Sequence, residues 1–472
     1  MVFNSIEYVI FLPVVVLLFY LLPQRVRWFM LLVASCVFYM WFVPKYILIL
    51  LVTIVIDYLA GILMERNVER PRRKKTFMII SIVSTLTVLF VFKYLGFVTE
   101  NLTRLCALFG VETDLAVNII LPIGLSFHTF QSMSYVIEVY RGNQKAEHHF
   151  GYYSLYVMFF PQLVTGPIER PGNLLRPLHE EKHFDYDNIS KGMRLILFGL
   201  FIKMVVADNL GLTVERIYEE PSTYNSWSVM LGAVFYSFQI YCDFFGYSTI
   251  ALGSAKLMGF DISDNFRSPY LSRSIAEFWH RWHISLSTWF RDYVYIPLGG
   301  SRVKFSRWAF NILVVFVLSG IWHGAAWTFL FWGFAHGLLH IVEKVLKKNV
   351  KTLEPQTKVG RWAVDLFNVA KTFILVTLFW VMFRSSDFVQ MKEMFVAMFS
   401  NFDVERQVAV DWQNFLYLGL FILSDIVLRN TRFDCWCDGK PLVLRWLIYA
   451  MLVFMIVVCS RVENVPFIYF QF

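Results

Sequence analysis

Charge is what this chain has least of. Asp, Glu, Lys and Arg make up only 17% of its 472 residues, where soluble globular proteins carry about 25%. A soluble fold of that composition would leave much of its apolar surface in water, which excludes an ordinary cytosolic or secreted domain. Cysteine is also sparse. The six cysteines are scattered, several in apolar stretches (Cys36, Cys242, Cys459), which excludes a disulfide framework. Cys435 and Cys437 form a lone Cys-x-Cys with no nearby histidine to complete a zinc set, and read as ordinary thiols. No Walker loop, dinucleotide fingerprint, HExxH or GxSxG occurs. No fixed-period repeat or low-complexity tract is visible either.

What is present is apolar: 57% hydrophobic and 18% aromatic residues, with a mean hydropathy of +0.54. A bilayer core of ~30 Å takes about 20 apolar residues as helix. Ile6 to Leu22, Trp28 to Phe42, Tyr46 to Met64 and Phe77 to Tyr94 approach or meet that length, as do Ala363 to Phe383, Trp412 to Leu428 and Leu442 to Val458. The first segment has no basic residue before it, carries Glu7 and lacks a small-residue cleavage site, so it reads as a retained span. The fold class expected is all-α: a polytopic integral membrane protein of about ten to eleven spans, with re-entrant and amphipathic cytoplasmic helices. Residues 1–472 read as one membrane-embedded domain. Its spans within 1–115 are less specific, its motif-bearing core is 120–345, and its C-terminal spans are 346–472.

The formal charge of +8 fits cytoplasmic loops and anionic headgroups rather than nucleic acid. The most basic short loop, Glu65 to Lys75, places itself in the cytoplasm by the positive-inside rule, which puts the N-terminus outside. Further spans are expected near Val117 to Tyr140, Leu195 to Leu210 and Ser226 to Met258. Gly151 to Gly166 contains Pro161 and reads as a short dip rather than a crossing. Phe266 to Arg307 reads as cytoplasmic, amphipathic and partly re-entrant. Between two basic regions, Trp308 to Glu343 leaves too few residues for two full spans and a turn, which need more than ~40. The turn near Gly320 to Gly324 should then sit below the outer surface, with His323 at the floor of a depression.

His323, in GIWHGAAWTFLFWG, can take a proton from a hydroxyl near neutral pH. Its flanking Gly320 and Gly324 would admit a substrate, and Trp322 and Trp327 would wall the site from water. His280 and His283 are three apart and would share a helical face, but no third ligand is in view, so no metal site is expected. Arg281 and Arg291 beside Trp279, Trp282 and Trp289 suit the phosphates and adenine of a nucleotide-bearing donor. An interfacial helix anchored by the same residues is the alternative. His336 and His340 read as packing or interfacial residues. Asp57 and Asp243 read as buried hydrogen-bonded groups. The helix LPIGLSFHTFQSMSYVIEVYRG should face the bundle interior because its polar groups need internal partners.

At LPIGLSFHTFQSMSYVIEVYRG, FFPQLVTGPIERP, the stretch Asp243 to Gly300, GIWHGAAWTFLFWGFAHG and the terminal PFIYFQF, the chain resembles the membrane-bound O-acyltransferase superfamily, in its alginate O-acetyltransferase-like bacterial branch. The resemblance runs from about residue 120 to the end. It implies that His323 is the catalytic histidine and His283 the second signature residue; His280 carries no family role. It implies acetyl transfer from cytoplasmic acetyl-CoA, with no permanently bound cofactor, to a cell-surface polysaccharide. A serine-hydrolase-like partner on the outer side of a bacterial inner membrane would complete the transfer. Two rivals stand beside this: D-alanyl transfer to teichoic acid from a carrier protein, and a glycan transporter or flippase without acyl transfer. Internal pseudo-symmetry of hydropathy would favour the transporter, and none is visible.

Overall fold

The computed structural model describes residues 1–472 except 112, 116, 118, 165, 350–356, 462–466 and 469–472. Most of the terminal PFIYFQF motif and part of the basic loop from Lys347 to Arg361 thus lie outside the described residues. Among the described residues every regular element is helical. Eight helices are long and apolar enough to cross a membrane, and Ile6–Leu21 and Trp412–Val427 are shorter apolar helices. Their outward faces are greasy: Ile6 is 78% exposed, Leu21 70% and Val457 74%. Apolar side chains displayed this densely on a surface need lipid as their solvent. The protein is a multi-pass membrane protein.

Helix ends follow local chemistry. Ser5 caps Ile6–Leu21 by accepting from Tyr8 N–H at 3.3 Å, with Glu7 in the first turn. Asp387 caps Phe388–Ser400 by accepting from Gln390 N–H at 2.8 Å. Pro71 opens the continuous helical segment Pro71–Leu108, where its missing N–H costs nothing.

One span differs from expectation. The helix expected from Val117 begins only at Leu125 and ends at Arg141, because Pro122 removes a donor and pushes the preceding residue out of the helical region. Its interior-facing character is as expected: every residue from Leu125 to Val136 is buried. Gly151 to Gly166 forms the helix Phe150–Met158, breaks at Phe159, and resumes as the short turn Phe160–Leu163. Pro161 accounts for the break, since an uninterrupted helix would set its ring against the carbonyl of Val157. Nine helical residues span only about 14 Å.

The chain divides into two compact units. The first comprises Met1–Ile196 and Tyr247–Ser263. In it Asp57 accepts from Ser81 Oγ at 2.5 Å and from Thr85 Oγ1 at 3.2 Å, Tyr8 and Ser254 share a 2.6 Å hydrogen bond, and buried Glu169 accepts from Ser263 N–H. The second comprises Leu197–Gly246 and Asp264–Phe472 and holds both His283 and His323. Within it, Lys203 sits in the π-helical stretch Phe201–Ala207 and reaches Asp208 and Asp243, each at 2.6 Å. Asp243 also accepts from Ile468 N–H at 2.7 Å.

The region from Phe266 to Arg307 is a set of short pieces: Pro269–Leu271, Ile275–Arg281, Ile284–Phe290 and the π-helical Arg291–Tyr295. It is followed by a helical hairpin, Phe305–His323 and Trp327–Asn349. These arms of 19 and 23 residues measure about 28 and 34 Å. Each is long enough to cross, so the shortness inferred from the apolar run Trp308 to Glu343 does not hold. The arms gain length from polar ends, Phe305 to Arg307 and Lys344 to Asn349, which a hydropathy reading discards.

Candidate active site

His323 is the last residue of its helix and is 4% exposed. Its burial comes from packing. Trp332 meets the imidazole edge at a right angle, 5.3 Å between ring centroids, Phe383 lies at 5.3 Å and Trp322 at 4.9 Å. Trp327, expected as a wall, is 48% exposed; Trp332 and Phe383 form the wall instead. The flanking glycines serve helix packing rather than substrate access. A Cβ on Gly320 would lie 2.3 Å from Phe329 O, and one on Gly333 2.3 Å from Phe316 O, so the two arms touch backbone to backbone. A Cβ on Gly324 would stand 2.1 Å from the Phe329 ring.

His283 and His280 do not share a helical face. The first short helix ends at Arg281, and His283 has φ +44° and ψ +55°, a left-handed conformation costing about 1–2 kcal/mol for a residue with a Cβ. Asn265 holds this turn. Its backbone carbonyl accepts from Ile284 N–H at 2.9 Å, and its Oδ1 accepts from Ser285 Oγ at 2.6 Å and Ser285 N–H at 3.3 Å. A strained non-glycine residue held this firmly is a recurrent mark of functional sites. The turn buries His283 completely while leaving His280 exposed. His283 lies edge-on to Phe244 at 4.7 Å, and 6.4 Å from His323 between ring centroids. Burial lowers the His283 pKa to about 3, so the ring is neutral at physiological pH, with one N–H donor and one acceptor nitrogen. The two histidines picked from the sequence thus lie close together, buried among aromatic rings.

A cavity of about 360 Å³ lies in the same unit, lined by neither of the two histidines. Trp279, His280, Arg291, Trp308, His340 and Lys344 line it. Two further lining residues, Ile284 and Ser319, adjoin the histidines in sequence: Ile284 follows His283, and Ser319 precedes His323 by one helical turn. Lys344 Nζ stands 3.6 Å from the centroid of Trp308. Of the residues expected to face a nucleotide, Arg291 and Trp279 line this cavity. Trp282 instead lies wholly buried against Trp380 at 4.9 Å and Phe266 at 5.1 Å, and Arg281 pairs with Glu277 at 3.0 Å. Lys344, Trp308 and Asn265 were not singled out from the sequence. The four-residue spacing of His340 and Lys344, running on from the flagged pair His336 and His340, was the available signal for one of them. Among the described residues no group of three His, Cys, Asp or Glu could hold a metal ion.

Fold and site together define a multi-pass helical membrane protein built around a buried pair of histidines. Residues 143–386 match the model of MBOAT, the membrane-bound O-acyltransferase family. The chain is 38% identical over 405 residues to a probable alginate O-acetylase of Pseudomonas aeruginosa, covering 85% of this chain and 75% of the relative. It is 30% identical over 384 residues to a peptidoglycan O-acetyltransferase of Helicobacter pylori, covering 76% and 71%. With a teichoic acid D-alanyltransferase of Bacillus subtilis it shares 30% identity over 239 residues, covering 47% and 58%. The chain belongs to the membrane-bound O-acyltransferase family, and it is an O-acyltransferase.

Proposed function

We propose that this protein takes acetyl from cytoplasmic acetyl-CoA and passes it through the membrane for O-acetylation of a cell-surface polysaccharide. The observation that carries the reading is the buried pair His283–His323, 6.4 Å apart, in one unit with a cavity whose lining joins Arg291, Lys344, Trp279 and Trp308 to Ile284 and Ser319, which adjoin the pair in sequence. Guanidinium and ammonium groups suit the donor's phosphates, and indole faces suit its adenine. Neutral His283 would donate its N–H to the thioester carbonyl and orient it. His323 would act as general base: it takes the acceptor hydroxyl's proton as the oxygen attacks the carbonyl carbon, the C–S bond breaks, and the departing sulfur takes that proton back from the imidazolium to leave as the thiol. Acetyl is favoured over D-alanyl because the matches to O-acetylating relatives cover far more of the chain than the match to the D-alanyltransferase.

In this reading the whole chain acts as one membrane-embedded domain of a bacterial inner membrane, with its N-terminus outside. The acyl group is handed to a serine-hydrolase-like partner on the outer side. Purified protein given acetyl-CoA should release thiol saturably, and Arg291→Gln with Lys344→Gln should raise the donor KM. Absence of any thioester turnover would reject the donor and favour a glycan transporter. Sidedness is checked by cysteines at Lys74, labelled only from the cytoplasm, and at Ser386, labelled only from outside. Labelling of position 74 from outside would invert the orientation.

A further inference from the structure

One buried histidine beside the cavity has no part in that mechanism. His336, on Trp327–Asn349, is fully buried, and its Nδ1 lies 3.3 Å from Trp279 Nε1. An indole N–H can only donate, so the contact makes Nδ1 the acceptor and puts the imidazole proton on Nε2. The ring is held on all sides. It lies nearly parallel to Phe278 (6.5 Å, 8°) and Phe316 (6.2 Å, 13°), and edge-on to Phe379 (4.6 Å, 74°) and Trp332 (5.0 Å, 73°).

Trp279 is in a different position, because it forms part of the cavity wall. Its other aromatic neighbours, Phe316 at 5.3 Å, Phe278 at 5.5 Å and Trp332 at 5.7 Å, are ring contacts that do not dictate which way the indole N–H points. The hydrogen bond to His336 does. It ties the rotamer of a wall residue to a side chain fixed in the helix behind it.

We propose that His336 is a positioning residue, which sets the shape of the donor cavity by holding Trp279 through its indole N–H. The inference rests on the cavity being the donor site. Replacing His336 would then weaken donor binding while leaving the His283–His323 pair to do its chemistry. A core residue of no special role would lower protein yield or kcat without discriminating between donor binding and turnover.

The test is steady-state turnover of acetyl-CoA by the purified full chain. His336→Phe keeps an aromatic ring and removes the acceptor; the donor KM should rise about tenfold, the scale of one lost buried hydrogen bond, with kcat within about twofold. His336→Asn, whose Oδ1 takes the place of Nδ1, should restore the KM. Trp279→Phe should raise the KM as His336→Phe does, and the double variant should be no worse than Trp279→Phe alone. An unchanged KM in His336→Phe, or additive effects in the double variant, would overturn the proposal. If His336→Phe does not fold, the pair His336→Asn and Trp279→Phe decides: normal KM in Trp279→Phe, or a raised KM in His336→Asn, overturns it. The cavity reading is tested separately by Arg291→Gln and Lys344→Gln. Unchanged donor KM in those two removes the donor site and this inference with it, whereas a raised KM there with normal His336→Phe removes this inference only.

Discussion

In the unit formed by Met1–Ile196 and Tyr247–Ser263, the buried carboxylate Asp57 is met by hydroxyl groups, Ser81 and Thr85. In the unit formed by Leu197–Gly246 and Asp264–Phe472, buried carboxylates Asp208 and Asp243 share one cation, Lys203. The same unit encloses His283 and His323 in walls of indole and phenyl rings. The difference is one of cost. Hydroxyl donors satisfy an acceptor without bringing a second charge into the membrane. An ion cluster does bring one, and it is tolerated only while every member is present. At Asp57 the first unit therefore keeps its polarity free of a second charge and replaceable. The second holds an ion cluster and, in His283 and His323, the histidines of the proposed site.

The largest effect that could break this contrast is chemical. His323→Ala removes the proposed general base and should lower acetyl transfer by about 10²–10⁴-fold, with the thermal midpoint in detergent close to that of the parent. Near-normal transfer by a well-folded His323→Ala protein would place the chemistry elsewhere. Next comes Lys203→Met, which leaves Asp208 and Asp243 buried without their cation. Removing one partner of a buried pair costs about 3–5 kcal/mol, enough to lower the yield of folded protein and its melting temperature. An unchanged melt would mean that the cluster is wet and that the two units do not differ as argued.

How far these features could be read from sequence follows the same division. Span positions were legible because a bilayer demands long apolar runs, and His323 and His283 because they stand in dense motifs. What stayed hidden depends on packing. Lys203 lies in a span and pairs with a carboxylate forty residues away; no periodicity announces that. The left-handed turn at His283 is made by Asn265, eighteen positions earlier. The hairpin arms were misjudged because hydropathy does not see the polar turns that extend a helix beyond its apolar stretch. Gly320 and Gly324 looked like access points because sequence cannot show that Phe329 already fills the space.

That last correction gives a smaller and sharper test. Gly324→Ala sets a Cβ 2.1 Å from the Phe329 ring, and overpacking of this kind costs about 1–3 kcal/mol. Phe329→Leu in the same protein should recover part of the loss, a coupling expected only for side chains in contact. A neutral Gly324→Ala, with the same melt and turnover as the parent, would show that the space is open and return the glycine to substrate access.

The smallest effect is expected at Asp57. Ser81 and Thr85 both donate to it, Ser81 to Oδ1 at 2.5 Å and Thr85 to Oδ1 and Oδ2 at 3.2 and 3.3 Å. An amide oxygen has two lone pairs, so Asp57→Asn can accept from both hydroxyls at one atom. What it loses is the second oxygen; what it adds is an NH₂ group to be satisfied. The net change should stay within about 1 kcal/mol, the scale of one neutral hydrogen bond, and transfer should be unaffected. Asp57→Ala is the harsher control, since it leaves both hydroxyls to fall back on the carbonyl one turn behind them in their own helix. The melt of Asp57→Asn should therefore lie much nearer the parent than that of Lys203→Met. If the two fall together, Asp57 carries a charge that the fold requires. The first unit would then bury ionic polarity as the second does, and the contrast between them would collapse.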